Sequence, residues 1–397
     1  MNGVAGVQLA ATAFLDLTVD LHQPVVDQGL RLHSVLSEGG EFEELPEPDH
    51  VVPDGYLDGG VVGHDSILPD TAPYAGRVSD VPVLSPVVGL PLALLAGLAI
   101  PLQGRINGAL GAVLDDGLAA ALISFGTGLA VMVVITFLLP RGRAGAREII
   151  PAVRERRFPP YYVAAGAIGA FFVLTQSLTI AILGVALFTV AAVMGQSLSG
   201  LLVDRAGIGP AGKRATTPLR VIGVVLTVLS VLWAVSPRIG AAGDLSTWLV
   251  PVLLPVAGGV LISFQQAMNG TAALHYGTPI AATLMNFIAG TTVLLAAWLI
   301  KLAIAGPSRA LPSEWWYYLG GPMGCVFIGL GALLVRSLGV LLTGLCMIGG
   351  QLVGSLVLDL VFPTPGTIIV FATVAGTLLT LGAILLTTLP WPKRPRH

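Results

Sequence analysis

The chain has 397 residues, of which 54% are hydrophobic and only 11% charged, with mean hydropathy +0.86. A soluble domain usually carries about 25% charged residues, so an ordinary water-soluble fold is excluded and an integral membrane protein is expected. The net charge of −2 hides a split: residues 1–86 hold fourteen acids against two bases, and the remainder is basic.

The first segment, 1–86, contains acid-, Pro- and Gly-rich stretches such as SEGGEFEELPEPDH (37–50) with no sustained period. This composition predicts disorder. A working start near Val81–Pro86 is a second reading of the same stretch. His22, His33, His50 and His64 are too widely spaced for a ligand motif, and no metal or cofactor is expected. Cys325 and Cys346 lie in apolar runs and suggest neither a disulfide framework nor a zinc site.

Ten apolar spans follow, at about 87–109, 118–139, 161–181, 184–203, 218–235, 248–268, 280–300, 316–335, 338–358 and 367–389. Each is long enough to cross a bilayer as a helix. The expected organisation is a first five-helix unit over 87–235, a polar extracytoplasmic linker at 236–247, a second five-helix unit over 248–390, and a basic tail at 391–397. Lys and Arg orient the bundle. Arg141, Arg143, Arg147, Arg154, Arg156, Arg157, Arg205, Lys213, Arg214, Arg220, Arg336, Lys393, Arg394 and Arg396 all fall on one side if both termini are cytoplasmic. Arg105, Arg238, Lys301 and Arg309 take the other side. The loop at 141–159 is read as a basic cytoplasmic connection.

An internal repeat is the most informative feature. PLQGRINGALGAVLDDGLAAALISFGTG (101–128) aligns without gaps on SFQQAMNGTAALHYGTPIAATLMNFIAG (263–290) at an offset of 162. It pairs Gln103 with Gln265, Asn107 with Asn269, Gly108 with Gly270 and Phe125 with Phe287, and sets Ser124 opposite Asn286. LGVALFTVAAVMGQSLSGLLVD (183–204) aligns on LGVLLTGLCMIGGQLVGSLVLD (338–359) at an offset of 155, pairing Gly195-Gln196 with Gly350-Gln351 and Asp204 with Asp359. Five spans per half mean that the second copy enters the membrane from the opposite side. The expected fold is therefore an all-α polytopic membrane protein with a five-plus-five inverted-topology repeat, an arrangement that commonly builds transporters.

The Gln-x-x-x-Asn pair, the LISFGTG/LMNFIAG helix and the GQSLSGLLVD/GQLVGSLVLD helix resemble the drug/metabolite transporter superfamily. More closely they resemble the YdcZ-type family of bacterial inner-membrane exporters, over about residues 87–390. The resemblance implies ten helices in two inverted halves and does not name a cargo. Small multidrug exporters similar to this superfamily exchange protons through a membrane-buried carboxylate. No Asp, Glu or His lies near the centre of any span here, so proton antiport is not expected.

Gln103 and Asn107 share one helical face, as do Gln265 and Asn269. Polar groups facing lipid are costly, so these should face protein or water. They are the candidate substrate-binding residues, joined by Ser124, Asn286 and Gln176, with Ser177 and Gln266 as weaker candidates. The alternative is interhelical hydrogen bonding alone. Gly195, Gln196, Gly350, Gln351 and Gly354 are assigned to helix packing. Arg105 is expected to snorkel to the headgroups; attraction of an anion in an outward vestibule is the alternative. Asp204 and Asp359 read as solvated helix ends. The partners expected are a small-molecule solute and the lipid bilayer, with no nucleic acid; a homodimer is compatible with the sequence. The functional reading is a secondary transporter, working as an exporter by alternating access. A non-transporting membrane scaffold and, more remotely, an enzyme built on Ser197 of GQSLSG are the other classes.

Overall fold

The computed structural model describes residues 85–208, 213, 216–240, 246–338 and 340–388. The expectations for the acidic segment and for the basic tail therefore lie outside the described residues. Among the described residues there are eleven α-helices, two 3-10 turns and no strand. The helices are α1 (Pro86–Leu114), α2 (Gly117–Leu138), α3 (Pro140–Arg154), α4 (Ala165–Leu183), α5 (Val185–Ala206), α6 (Pro218–Gly240), α7 (Ser246–Tyr276), α8 (Pro279–Ala305), α9 (Gly320–Leu338), α10 (Val340–Val361) and α11 (Phe371–Thr388). By length and composition, 8 helical segments are able to cross a membrane; the apolar stretches Gly320–Gly331 and Phe371–Leu386 are shorter.

Several boundaries differ from expectation. Both α1 and α7 run on past the end of their apolar runs, to Leu114 and Tyr276. Gln103, Asn107, Gln265 and Asn269 therefore sit on continuous helix, and His275 occupies the last turn of α7 rather than a loop. Helix α6 extends to Gly240 and α11 begins only at Phe371. The expected loop at 141–159 contains a helix, α3. Its Gly142, Gly145 and Ala152 are buried at helical spacing while its arginines point outward. The high arginine content hid that periodicity.

Helix α5 lies along α7, α10 along α1, α6 along α11 and α2 along α8. The closest approaches use glycine. A methyl on Gly97 would strike the carbonyl of Met347, and one on Gly259 would strike that of Ala192. Likewise Gly195 lies against the carbonyl of Val256, and Gly350 against that of Leu94. These contacts come in pairs at the same offsets as the sequence copies. The Phe125 and Phe287 rings meet at 5.2 Å between α2 and α8, where each ring lies over the other's Gly290 or Gly128. In a bilayer the helices gain little from hiding apolar surface, so such close backbone packing is a main source of association. Large apolar side chains such as Phe137, Leu232, Ile300 and Leu378 remain exposed on the outside, as lipid contact requires.

Substitution of Gly97 or Gly259 by Val should each lower the midpoint of thermal unfolding in detergent. The penalty expected from overpacking is about 1–3 kcal/mol apiece. Gly126, whose added methyl meets nothing within 4 Å, serves as control: Gly126→Ala should leave the midpoint within about a degree or raise it slightly, since Ala is the better helix former. A Gly259→Val protein as stable as the parent would show that the α5–α7 contact is not as close as described.

Candidate functional site: two buried amide clusters and an ionic clasp

The first cluster joins α1, α2, α4 and α9. Asn107 is 0% exposed and its Nδ2 donates to Oε1 of Gln176 at 3.0 Å; Gln176 is also 0% exposed. Asn107 and Ser124 converge on the backbone at Gly320, where no side chain would fit. Gln103 is buried one turn earlier and faces Gly324. Three polar atoms have no protein partner among the described residues: Oδ1 of Asn107, Oγ of Ser124 and Nε2 of Gln176. A buried unpaired polar atom costs roughly 1–3 kcal/mol, so this cluster is suited to a guest, water or solute, that both donates and accepts.

The second cluster joins α7, α8 and α4. Nε2 of Gln265 donates to Oδ1 of Asn286 at 2.7 Å, and Nδ2 of Asn269 donates to the same oxygen at 3.1 Å. Gln265 also faces Gly169, just as Gln103 faces Gly324. Thus Asn107, Gln176 and Ser124 come together, and Gln265, Asn269 and Asn286 come together. No hydrogen bond links the two groups among the described residues. Neither group contains a charge. Ser177 turns its hydroxyl back to the carbonyl of Val173 in its own helix.

The packing residues occupy helix interfaces. Gly195 and Gly350 make the backbone contacts described above, and Gly354 lies against Leu98. At Gln196 the hydrogen bond to α7 uses the backbone: Oγ of Ser263 donates to the Gln196 carbonyl at 3.1 Å. Gln351 is buried in α10. Ser197 donates to Val193 of its own helix at 2.8 Å, as helix serines commonly do.

Arg105 donates through its Nε, at 3.1 Å, to the carbonyl of Phe362, just beyond α10. One reading from sequence changes. Asp359 is not solvated. It is 2% exposed, and its carboxylate accepts the backbone N–H groups of Val185 (3.0 Å) and Ala186 (2.8 Å) at the start of α5. Thr367 donates to it at 3.2 Å. The left-handed Gly184 (φ 82°) makes room, since a methyl there would lie 2.9 Å from the Asp359 carboxylate. Asp204, by contrast, pairs with Arg220 at 2.8 Å.

A group missed in the sequence lies at the α1–α2 turn. Asp116 caps α2, accepting from the N–H groups of Leu118 and Ala119 at 3.0 Å. Its other oxygen takes Nζ of Lys301 at 2.9 Å and Oγ of Ser308 at 2.5 Å. Next to it, Asp115 pairs with Arg309 at 3.0 Å, and the Arg309 N–H donates to the carbonyl of Leu114. The segment after α8 is thereby clasped onto the α1–α2 turn. The available signal was Asp-Asp-Gly before an apolar run, an N-cap pattern; the partners lie 192 and 194 residues away.

Burial works to raise the pKa of Asp116, but Ser308, Lys301 and the Ala119 N–H outweigh it and hold the carboxyl below its usual value. A depressed carboxyl contributes stability above its unfolded pKa and loses it as pH falls through the folded one. In thermal unfolding across pH, the parent should exceed Asp116→Asn at neutral pH, with the gap closing in acid below the ordinary carboxylate range. A gap that is constant with pH would show that the carboxylate charge does not hold the clasp.

Among curated proteins, none is significantly similar to this chain. A family profile, described as "Putative inner membrane exporter, YdcZ", matches residues 88–233 and 250–386. The match covers most of the chain and takes in both amide clusters and all the glycine contacts, so the protein is a multi-pass membrane protein and belongs to the YdcZ family.

Proposed function

We propose that the protein is a secondary transporter that exports a small, neutral, hydrogen-bonding organic solute from a bacterial cell. In this reading α9 and α11 complete ten crossings, both termini are cytoplasmic, and two five-helix halves of opposite orientation expose a shared site alternately to each face. It is not an enzyme and requires no cofactor.

The observation that carries the proposal is the pair of buried amide clusters at equivalent positions, one of them holding three unpartnered polar atoms. Hydrogen bonds between membrane helices average only about 0.6 kcal/mol, too little to explain keeping unpaired donors and acceptors buried as glue. The recurrence of glycine contacts at offsets of 162 and 155 supports two halves related by structure as well as sequence. The uncharged lining favours a neutral solute over a drug cation.

The halves are not in the same state. Gly104 and Gly108 seal α1 against Ile180 and Gln176 of α4, and Asn107 is fully buried. At the equivalent positions Gln266 is exposed and Asn269 half-buried. With cytoplasmic termini, the sealed end faces outward and the looser end faces the cytoplasm. This supports a conformation that takes up cargo from inside, with the Asp115–Asp116 clasp shut on the outer face.

Purified protein in liposomes should move a solute found in a library of metabolites and drugs. Asn107→Ala and Asn269→Ala should each reduce its transport about tenfold, the loss expected for one buried hydrogen bond to cargo. If such a solute is found and both variants keep its rate and affinity, the site assignment is wrong.

A further inference from the structure

The basic helix α3 stands apart from the two amide clusters. Residues 140–159 hold six arginines and two glutamates. Arg157 pairs with both acids, Glu148 at 3.0 Å and Glu155 at 2.8 Å. Arg141, Arg147, Arg154 and Arg156 have no ion pair among the described residues, and all four are exposed. Arg143 is also exposed, and its Nη1 caps the end of α2 by donating to the carbonyl of Phe137 at 2.6 Å.

The placement is directional. Arg147, Ile150 and Arg154 fall at helical spacing and form one exposed stripe, which Arg143 extends one turn toward α2. Ile150, within this row of arginines, is 62% exposed. An exposed isoleucine within a row of arginines suits a helix lying in the headgroup layer. Tyr161, just after it, is 66% exposed, and Phe137 and Leu138, just before it, are 68% and 66% exposed. These apolar and aromatic groups mark the edge of the hydrocarbon on either side of α3.

We propose that the Arg147–Arg154 stripe of α3 is a binding surface for the phosphate headgroups of anionic phospholipids, with Ile150 and Tyr161 dipping into the acyl boundary. Arginine suits this task because its guanidinium forks onto phosphate oxygens. The opposite face of α3 reports the occupancy to the bundle. Gly145 packs against the Thr278 methyl and the Tyr276 carbonyl at the α7–α8 turn, and Ala152 is buried in a cluster with Phe158, Tyr162, Met268 and Tyr276. Lipid bound to α3 therefore braces the end of the bundle where Gln266 and Asn269 are accessible.

The test uses full-length protein in nanodiscs of phosphatidylcholine, with or without phosphatidylglycerol, and reads both retained lipid and thermal midpoint. Phosphatidylglycerol should be retained in preference to phosphatidylcholine and should raise the midpoint. Arg147→Gln/Arg154→Gln should lose that preference by about fivefold for each arginine removed, with an unchanged midpoint in phosphatidylcholine alone. Arg147→Lys/Arg154→Lys should keep most of it. Equal retention of the two lipids, a double Gln variant with full preference, or displacement of the lipid by inorganic phosphate at millimolar concentration would each overturn the proposal.

Discussion

Close approach of helix backbones at glycine governs this structure. Where α10 crosses α1 and α5 crosses α7, the backbone of one helix sits against a carbonyl of the other with no side chain between. Inside a bilayer, apolar side chains gain little by leaving lipid for protein, so contact at this range decides which helices pair. Once those pairs are fixed, Gln103 and Gln265 are drawn onto Gly324 and Gly169, and the Asn residues one turn later reach Gln176 and Asn286. The polar clusters are thus a consequence of the glycine seams.

The two ends of the bundle are closed by different chemistry. At the α1–α2 turn, Asp115 and Asp116 meet Lys301, Ser308 and Arg309. At the equivalent α7–α8 turn, Gly277 and Thr278 stand in place of the acids, and the covering element is α3, seated through Gly145 and an aromatic cluster of Phe158, Tyr162 and Tyr276. The charged clasp depends on the ionisation of Asp116, whereas the apolar seat holds no ion pair among the residues named. This difference fits one sealed end and one looser end in a protein whose halves are otherwise alike.

Much of this was legible in the sequence. The paired Gln, Asn and Gly residues announced both the repeat and the residues that cluster, because polar side chains in apolar helices have few places to go. The repeat also matched Leu-Gly-Val with a distant Asp, without revealing why. The structure supplies the reason for one copy: Asp359, late in the chain, caps the helix that begins at Gly184-Val185. A cap supplied from another helix has no local signature, which is why Asp359 read as a solvated end. The same holds for Asp116 and its partners. Helix α3 was hidden differently, since its buried positions, Gly142, Gly145 and Ala152, are small residues and its arginines dominated the count.

Alternating access as proposed requires the second half to be inserted opposite to the first. Asp115 and Gly277 occupy equivalent, left-handed positions after α1 and α7, with φ of 53° and 72°. With Cys325 and Cys346 replaced by serine, Asp115→Cys and Gly277→Cys can be labelled in intact cells by a membrane-impermeant maleimide. The inverted arrangement predicts labelling of Asp115→Cys from outside, and of Gly277→Cys only after the membrane is opened. Labelling of both from the same side would contradict it.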